Sequence, residues 1–137
     1  MKVWRIGSNW GGNDILPIFK DYNIAFAGVA VQEKIKNVQV GDLIAVTKGK
    51  TILAIGVIAG QSPLIDLEEE FYDDYDDVIA ISIKPYYFAD DYKIDFGTYG
   101  GQGKQFHEAH GTYTQEISTL FNKLIQENNQ WKKIKSI

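Results

Sequence analysis

The sequence predicts an α+β fold: a small, curved, mostly antiparallel β-barrel of about six strands, flanked by a short helix in the N-terminal half and an amphipathic helix at the C-terminal end. Three observations predict it. Apolar, β-branched runs recur at Val3–Ser8, Ile24–Val31, Leu43–Thr47, Thr51–Ile58 and Val78–Lys84, too many strands and too few helices for a doubly wound sheet. Gly28 and Gly56 fall inside two of these runs, where a sheet bulges or bends sharply. Ile117, Leu120, Phe121, Leu124 and Ile125 follow the i, i+3, i+4, i+7, i+8 stripe of a helix packed on one side. At 137 residues and 45% hydrophobic, the chain suits one core, taken as a single domain over 1–137.

In order along the chain, Val3–Ser8 is a strand with Trp4 and Ile6 on one face and Arg5 on the other. It runs into Asn9-Trp10-Gly11-Gly12, which has turn chemistry. Asn13 or Asp14 then caps a helix over Ile15–Tyr22, where Pro17 is tolerated because the first turn needs no backbone donor. Ile24–Val31 is apolar almost throughout and is expected as a buried strand. Val38 to Asp42 approaches a turn before a hairpin, Leu43–Thr47 and Thr51–Ile58, joined by Lys48-Gly49-Lys50. Val78–Lys84 is a strand ended by Pro85; Tyr86–Phe88 and Tyr92–Phe96 are expected to extend the sheet. Gly97–Gly111 is expected as a glycine-rich loop carrying His107 and His110, followed by a helix capped by Thr114 and extended along one face by Trp131.

The formal charge of −4 conceals a division. Eight acids and no bases lie between Asp66 and Asp77; without them, 10 acids face 14 Lys and Arg, a formal +4 for the rest of the chain. An acidic total therefore excludes only a nucleic acid that covers the whole surface, and the acidic stretch is expected to lie away from any binding pocket. No apolar run approaches the roughly 18–20 residues of a membrane helix, and the start lacks a signal-peptide pattern. With no cysteine there is no thiol nucleophile or thiolate metal site. A cytoplasmic location, with no membrane partner, is expected.

Several catalytic signatures fail on inspection. Gly97 to Lys104 resembles a phosphate loop, but Thr98 stands where its first glycine is required and Gln105 follows the lysine. Phe106 replaces the third glycine of a dinucleotide pattern. His107 and His110 are spaced three apart, whereas the zinc-protease helix needs four. No Gly-x-Ser-x-Gly elbow is present. Neither a cofactor nor a metal is expected.

Polar and aromatic groups at loop mouths stand out instead. Ser8 and Asn9 supply donors and acceptors for the edge of a planar ring, and Trp10 supplies a flat π face. A flipped base needs that combination of stacking and edge recognition. Tyr99 and Phe106 could form a second wall; Trp4 is expected in the core. Lys48, Lys50, Lys104 and His107 form a candidate rim for phosphates.

Arg5-Ile6-Gly7-Ser8-Asn9-Trp10, the Val40–Thr47 block with the following Thr51–Ile58 strand, and Phe106–Thr114 before the last helix resemble the EVE domains, relatives of YTH domains within the PUA-like group. The resemblance spans most of the chain and is loosest in the acidic segment. It implies a curved barrel that binds a modified base in an aromatic pocket, as do specificity modules of modification-dependent restriction systems, where a separate nuclease or motor acts. By that resemblance Ser8, Asn9 and Trp10 build part of the pocket, with Phe26, Tyr99 and Phe106 as further walls. The expected partners are DNA or RNA carrying a modified base, and a nuclease or motor subunit.

Two other functions are weighed. A hydrolase of a small modified nucleoside, similar to the ASCH branch of the PUA-like group, would use Lys48, Glu108 and Thr47 as base, acid and nucleophile. A protein-interaction domain would instead use the acidic segment to hold a basic partner.

Overall fold

The computed structural model describes the chain except residues 11–12, 29–30, 64–77, 93, 99–105 and 136–137; for Trp10, Asn13 and residues 129–135 it describes the backbone alone. A six-stranded sheet curls into a half-barrel, with helices on both faces, as the sequence predicts. Its strands are β1 (Val3–Gly7), β4 (Ile24–Ala25), β5 (Leu43–Lys48), β6 (Thr51–Pro63), β7 (Ile79–Phe88) and β8 (Phe106–Glu108). They lie in the order β4-β7-β6-β5-β1-β8. All neighbours are antiparallel except β1 and β5, which run parallel from Val3↔Leu43 to Gly7↔Thr47. A separate two-stranded ladder joins β2 (Asn9–Trp10) to β3 (Asn13–Asp14). The helices are α1 (Leu16–Tyr22), α2 (Gln32–Ile35) and α3 (Thr112–Lys135). Among the described residues, no helix is long and apolar enough to cross a membrane.

Side-chain alternation divides the interior into two layers. Trp4, Ile6, Ile44, Val46 and Phe106 face one way, packing with Ile15 and Phe19 of the α1 region and with Ile35 of α2. Val3, Leu43, Ala45, Ile52 and Ile55 face the other, against Ile117, Leu120 and Leu124 of α3. The predicted helical stripe thus covers the second layer, with Phe121 and Ile125 at its margin. The side chain of Trp131 lies outside the described residues.

Local chemistry sets the element boundaries. Asp14 Oδ1 accepts the amide of Leu16 at 3.0 Å, Pro17 occupies the first turn of α1, and Asn23 closes that helix in the left-handed region. Lys48 pairs with Thr51, so the β5–β6 turn is tighter than the three residues expected, with Gly49 at φ +60°.

Five expectations are corrected. The strand expected over Ile24–Val31 stops at Ala25, because the buried side chain of Gln32 takes over the pairing. Its Nε2 donates to Ala27 O at 2.8 Å and Gly28 O at 3.2 Å, while its Oε1 accepts the amide of Ile79 at 2.9 Å. Conversely, β7 does not end at Pro85 but continues to Phe88. The register against β6 breaks between Gly56 and Ile58, so Lys84 and Pro85 sit at an irregularity where no ladder donor is required. Ala89–Asp91 then forms a 3-10 turn, and the described residues of Tyr92–Phe96 do not extend the sheet. Finally, His107 lies in β8 rather than a loop, and α3 begins at Thr112; Thr114 Oγ1 donates back to Ala109 O at 3.1 Å instead of capping an amide.

Candidate functional site

The C-terminal ends of β1 and β5 bring together most of the described residues singled out in the sequence. Ser8 follows β1 directly. Its amide donates to Thr47 O at 3.0 Å, and its carbonyl accepts the amide of Ile15 at 2.9 Å. The backbone is therefore held at both its donor and its acceptor. The side chain is 0% exposed, and its hydroxyl oxygen has no hydrogen-bond partner among the described residues. A buried hydroxyl left in that state carries a desolvation cost of about 1–3 kcal/mol. Ser8 is also the root of the β2–β3 ladder, in which Asn9 pairs with Asp14 and the backbone of Trp10 with Asn13. Asn9 is exposed; the side chain of Trp10 lies outside the described residues.

The other expected pocket walls fall elsewhere. Phe106 is fully buried and stacks on Trp4, with centroids 5.1 Å apart and planes 5° from parallel. Phe26 is equally buried and meets Phe19 edge to face at 5.2 Å. Both rings are buried in the α1-side layer, packed against the rings of Trp4 and Phe19. Tyr99 and Lys104 lie outside the described residues, as does the whole Asp66–Asp77 segment.

Lys48 and Lys50 are exposed at the hairpin tip, and Arg5 reaches that tip from β1. Arg5 pairs in register with Ala45 on one side and His107 on the other, so Arg5, His107 and Thr47 share the α3-side face. Thr47 resembles Ser8: it is 0% exposed, and its hydroxyl oxygen has no partner among the described residues. His107 is half-buried and His110 is exposed.

The hydrolase residues do not converge. Glu108 is the register partner of Trp4, on the face opposite Thr47, and its carboxylate pairs with Lys2 at 3.6 Å. Among the described residues, no group of three His, Asp or Glu could hold a metal ion. An open groove of about 490 Å³ lies between α3 and the Asp95–Phe96 segment, lined in part by Thr112, Glu116, Thr119 and Lys123. None of the expected pocket residues lines it.

One organising residue has no signature beyond a common Gly-Asp turn. Asp42, 5% exposed, accepts the amide of Lys2 at 3.0 Å on Oδ1, and on Oδ2 it accepts Trp4 Nε1 at 2.9 Å and the amide of Gln39 at 3.1 Å. Burial acts to raise this carboxyl, but the hydrogen bonds outweigh it and hold the group below its ordinary 3.8.

No protein family matches this chain, and no curated protein matches it.

Proposed function

We propose that this protein is a non-catalytic, cytoplasmic nucleic-acid-binding module of EVE-like type. In this proposal a modified base, methylated for example, in DNA or RNA, is flipped out of its stack and received at the C-terminal end of β1. Ser8 Oγ carries the proposal. A fully buried hydroxyl without a partner among the described residues, on a backbone fixed at both polar groups, is pre-organised to give or accept one hydrogen bond from a base edge. Asn9 adds amide chemistry beside it, and Trp10 and Tyr99 supply the stacking faces. Lys48, Lys50, Lys104 and His107 meet phosphates, and a separate nuclease or motor subunit acts on the marked nucleic acid.

The half-barrel fold and the position of Ser8 at the mouth of β1 support this assignment. The separation of Thr47 from Glu108 on opposite sheet faces weighs against the hydrolase. An electrophoretic-shift panel of methylated and unmodified oligonucleotides tests the proposal. The expected result is preference for one modified base, abolished by Trp10→Ala in a protein that remains folded. Wild-type binding without preference, or full preference in the variant, contradicts it.

A further inference from the structure

We infer that Arg5 is a positioning residue that sets the β5–β6 hairpin tip so that Lys48 and Lys50 meet the phosphodiester backbone of a single-stranded nucleic acid. The inference rests on the nucleic-acid reading above, but it concerns contact with the strand and not choice of base. Arg5 is 3% exposed, and its Nη2 donates to Gly49 O at 2.9 Å, across 44 residues of sequence. Gly49 is the left-handed turn residue between the two lysines, so the guanidinium holds the turn by its apex. The opposite flank is braced independently. Thr98 bridges Thr51, the amide of Ile52 donates to Gly97 O at 3.3 Å, and the amide of Gly97 donates to Asp95 Oδ1 at 2.8 Å.

Lys2, Lys20 and Lys36 each lie within 4.0 Å of a carboxylate, whereas Lys48 and Lys50 form no ion pair among the described residues. What sets Lys48 and Lys50 apart is the braced turn beneath them; among the described residues the exposed Lys34, Lys84 and Lys123 form no ion pair either. Two ammonium groups on a fixed turn, with no acid paired to either among the described residues, suit the regularly spaced charges of a polynucleotide; fixing the turn beforehand reduces the ordering cost on binding. The described residues on either side of the acidic segment lie at the opposite end of β6 from this tip. Pro63, the last residue of the 13-residue β6, pairs there with Ile79. Arg5 also pairs in register with His107, so the strand position that braces the tip lies beside another described member of the candidate rim.

The test measures affinity of the full chain for short unmodified single-stranded DNA and RNA of one sequence, as a function of KCl concentration. For single strands each phosphate contact contributes about 0.7 to the slope of log affinity against log salt, so Lys48→Ala/Lys50→Ala should flatten the slope by about 1.4. Arg5→Met should flatten it in the same direction, Arg5→Lys should restore much of it, and Arg5→Met should add nothing in the double-lysine background. Arg5→Gln, too short to reach Gly49, replaces the methionine variant if that one does not fold. The DNA and RNA arms identify which strand is held. An unchanged slope in either the lysine or the folded arginine variants, or equal loss in both lysine backgrounds, overturns the inference and leaves the base-pocket proposal standing. Absence of binding by wild type to either strand overturns it too, whereas loss of modified-base preference alone leaves it intact.

Discussion

The indole Nε1 of Trp4 donates to Oδ2 of Asp42 at 2.9 Å, joining β1 to the turn that starts β5. With the amides of Lys2 and Gln39, it makes the Asp42 carboxylate a three-donor acceptor at the junction of the only parallel strand pair among the described residues. Asparagine there keeps one oxygen and turns an NH2 toward groups that are themselves donors. Asp42→Asn should therefore cost about 2 kcal/mol in denaturant unfolding, within the range for hydrogen bonds to a charged group. The pH dependence follows from the lowered carboxyl. A group held below its unfolded value stabilises fully above that value and loses its contribution as pH falls through the folded value. Wild-type stability should fall as pH drops below the ordinary 3.8, and the variant should lack that part of the fall.

Gly56 is a steric requirement of the strongly bent β6–β7 pair. A Cβ at this position would collide with Ile83 Cγ2 and lie 2.6 Å from the backbone oxygen of Pro85. Backbone cannot yield as a flexible side chain does, so Gly56→Ala should destabilise by about 2–3 kcal/mol, seen as a lower thermal midpoint. Gly60, on the same strand, has open space around its would-be Cβ, and Gly60→Ala serves as the tolerant control.

Thr47 makes the opposite prediction. Its buried hydroxyl has no partner among the described residues, so Thr47→Val keeps the shape and removes an unsatisfied group. The variant should gain about 1 kcal/mol, or roughly 3–5 °C in thermal midpoint for a domain of this size. A drop of similar size would show that the hydroxyl is in use in the folded protein.

What could be read in the sequence was set locally. Alternation placed Trp4 and Ile6 opposite Arg5, the Lys48–Lys50 turn marked the hairpin, and the Ile117–Leu124 spacing marked the buried face of α3. What could not be read depends on partners distant in the chain. The amide of Ile79 is satisfied by Gln32, 47 residues away, and that single side chain takes the place of the strand expected beyond Ala25. Strand β8 is three residues long and exists by pairing with β1, a contact without a local pattern. The site divides in the same way. Ser8 could be singled out as a polar residue at a strand mouth, whereas the burial of Phe26 and Phe106 is decided by packing on Phe19 and Trp4, which no local pattern announces.

The central claim is that the Ser8 hydroxyl is kept for a ligand at a cost to the free protein. Ser8→Ala should accordingly raise the thermal midpoint of the ligand-free protein, since it removes a buried polar atom without a partner among the described residues. The most direct measurement is the ratio of affinities for modified and unmodified oligonucleotide, compared between wild type and Ser8→Ala. Loss of one hydrogen bond to the base edge predicts a fall of roughly tenfold in that ratio, with affinity for the unmodified strand retained. An unchanged ratio in the folded variant would contradict the account.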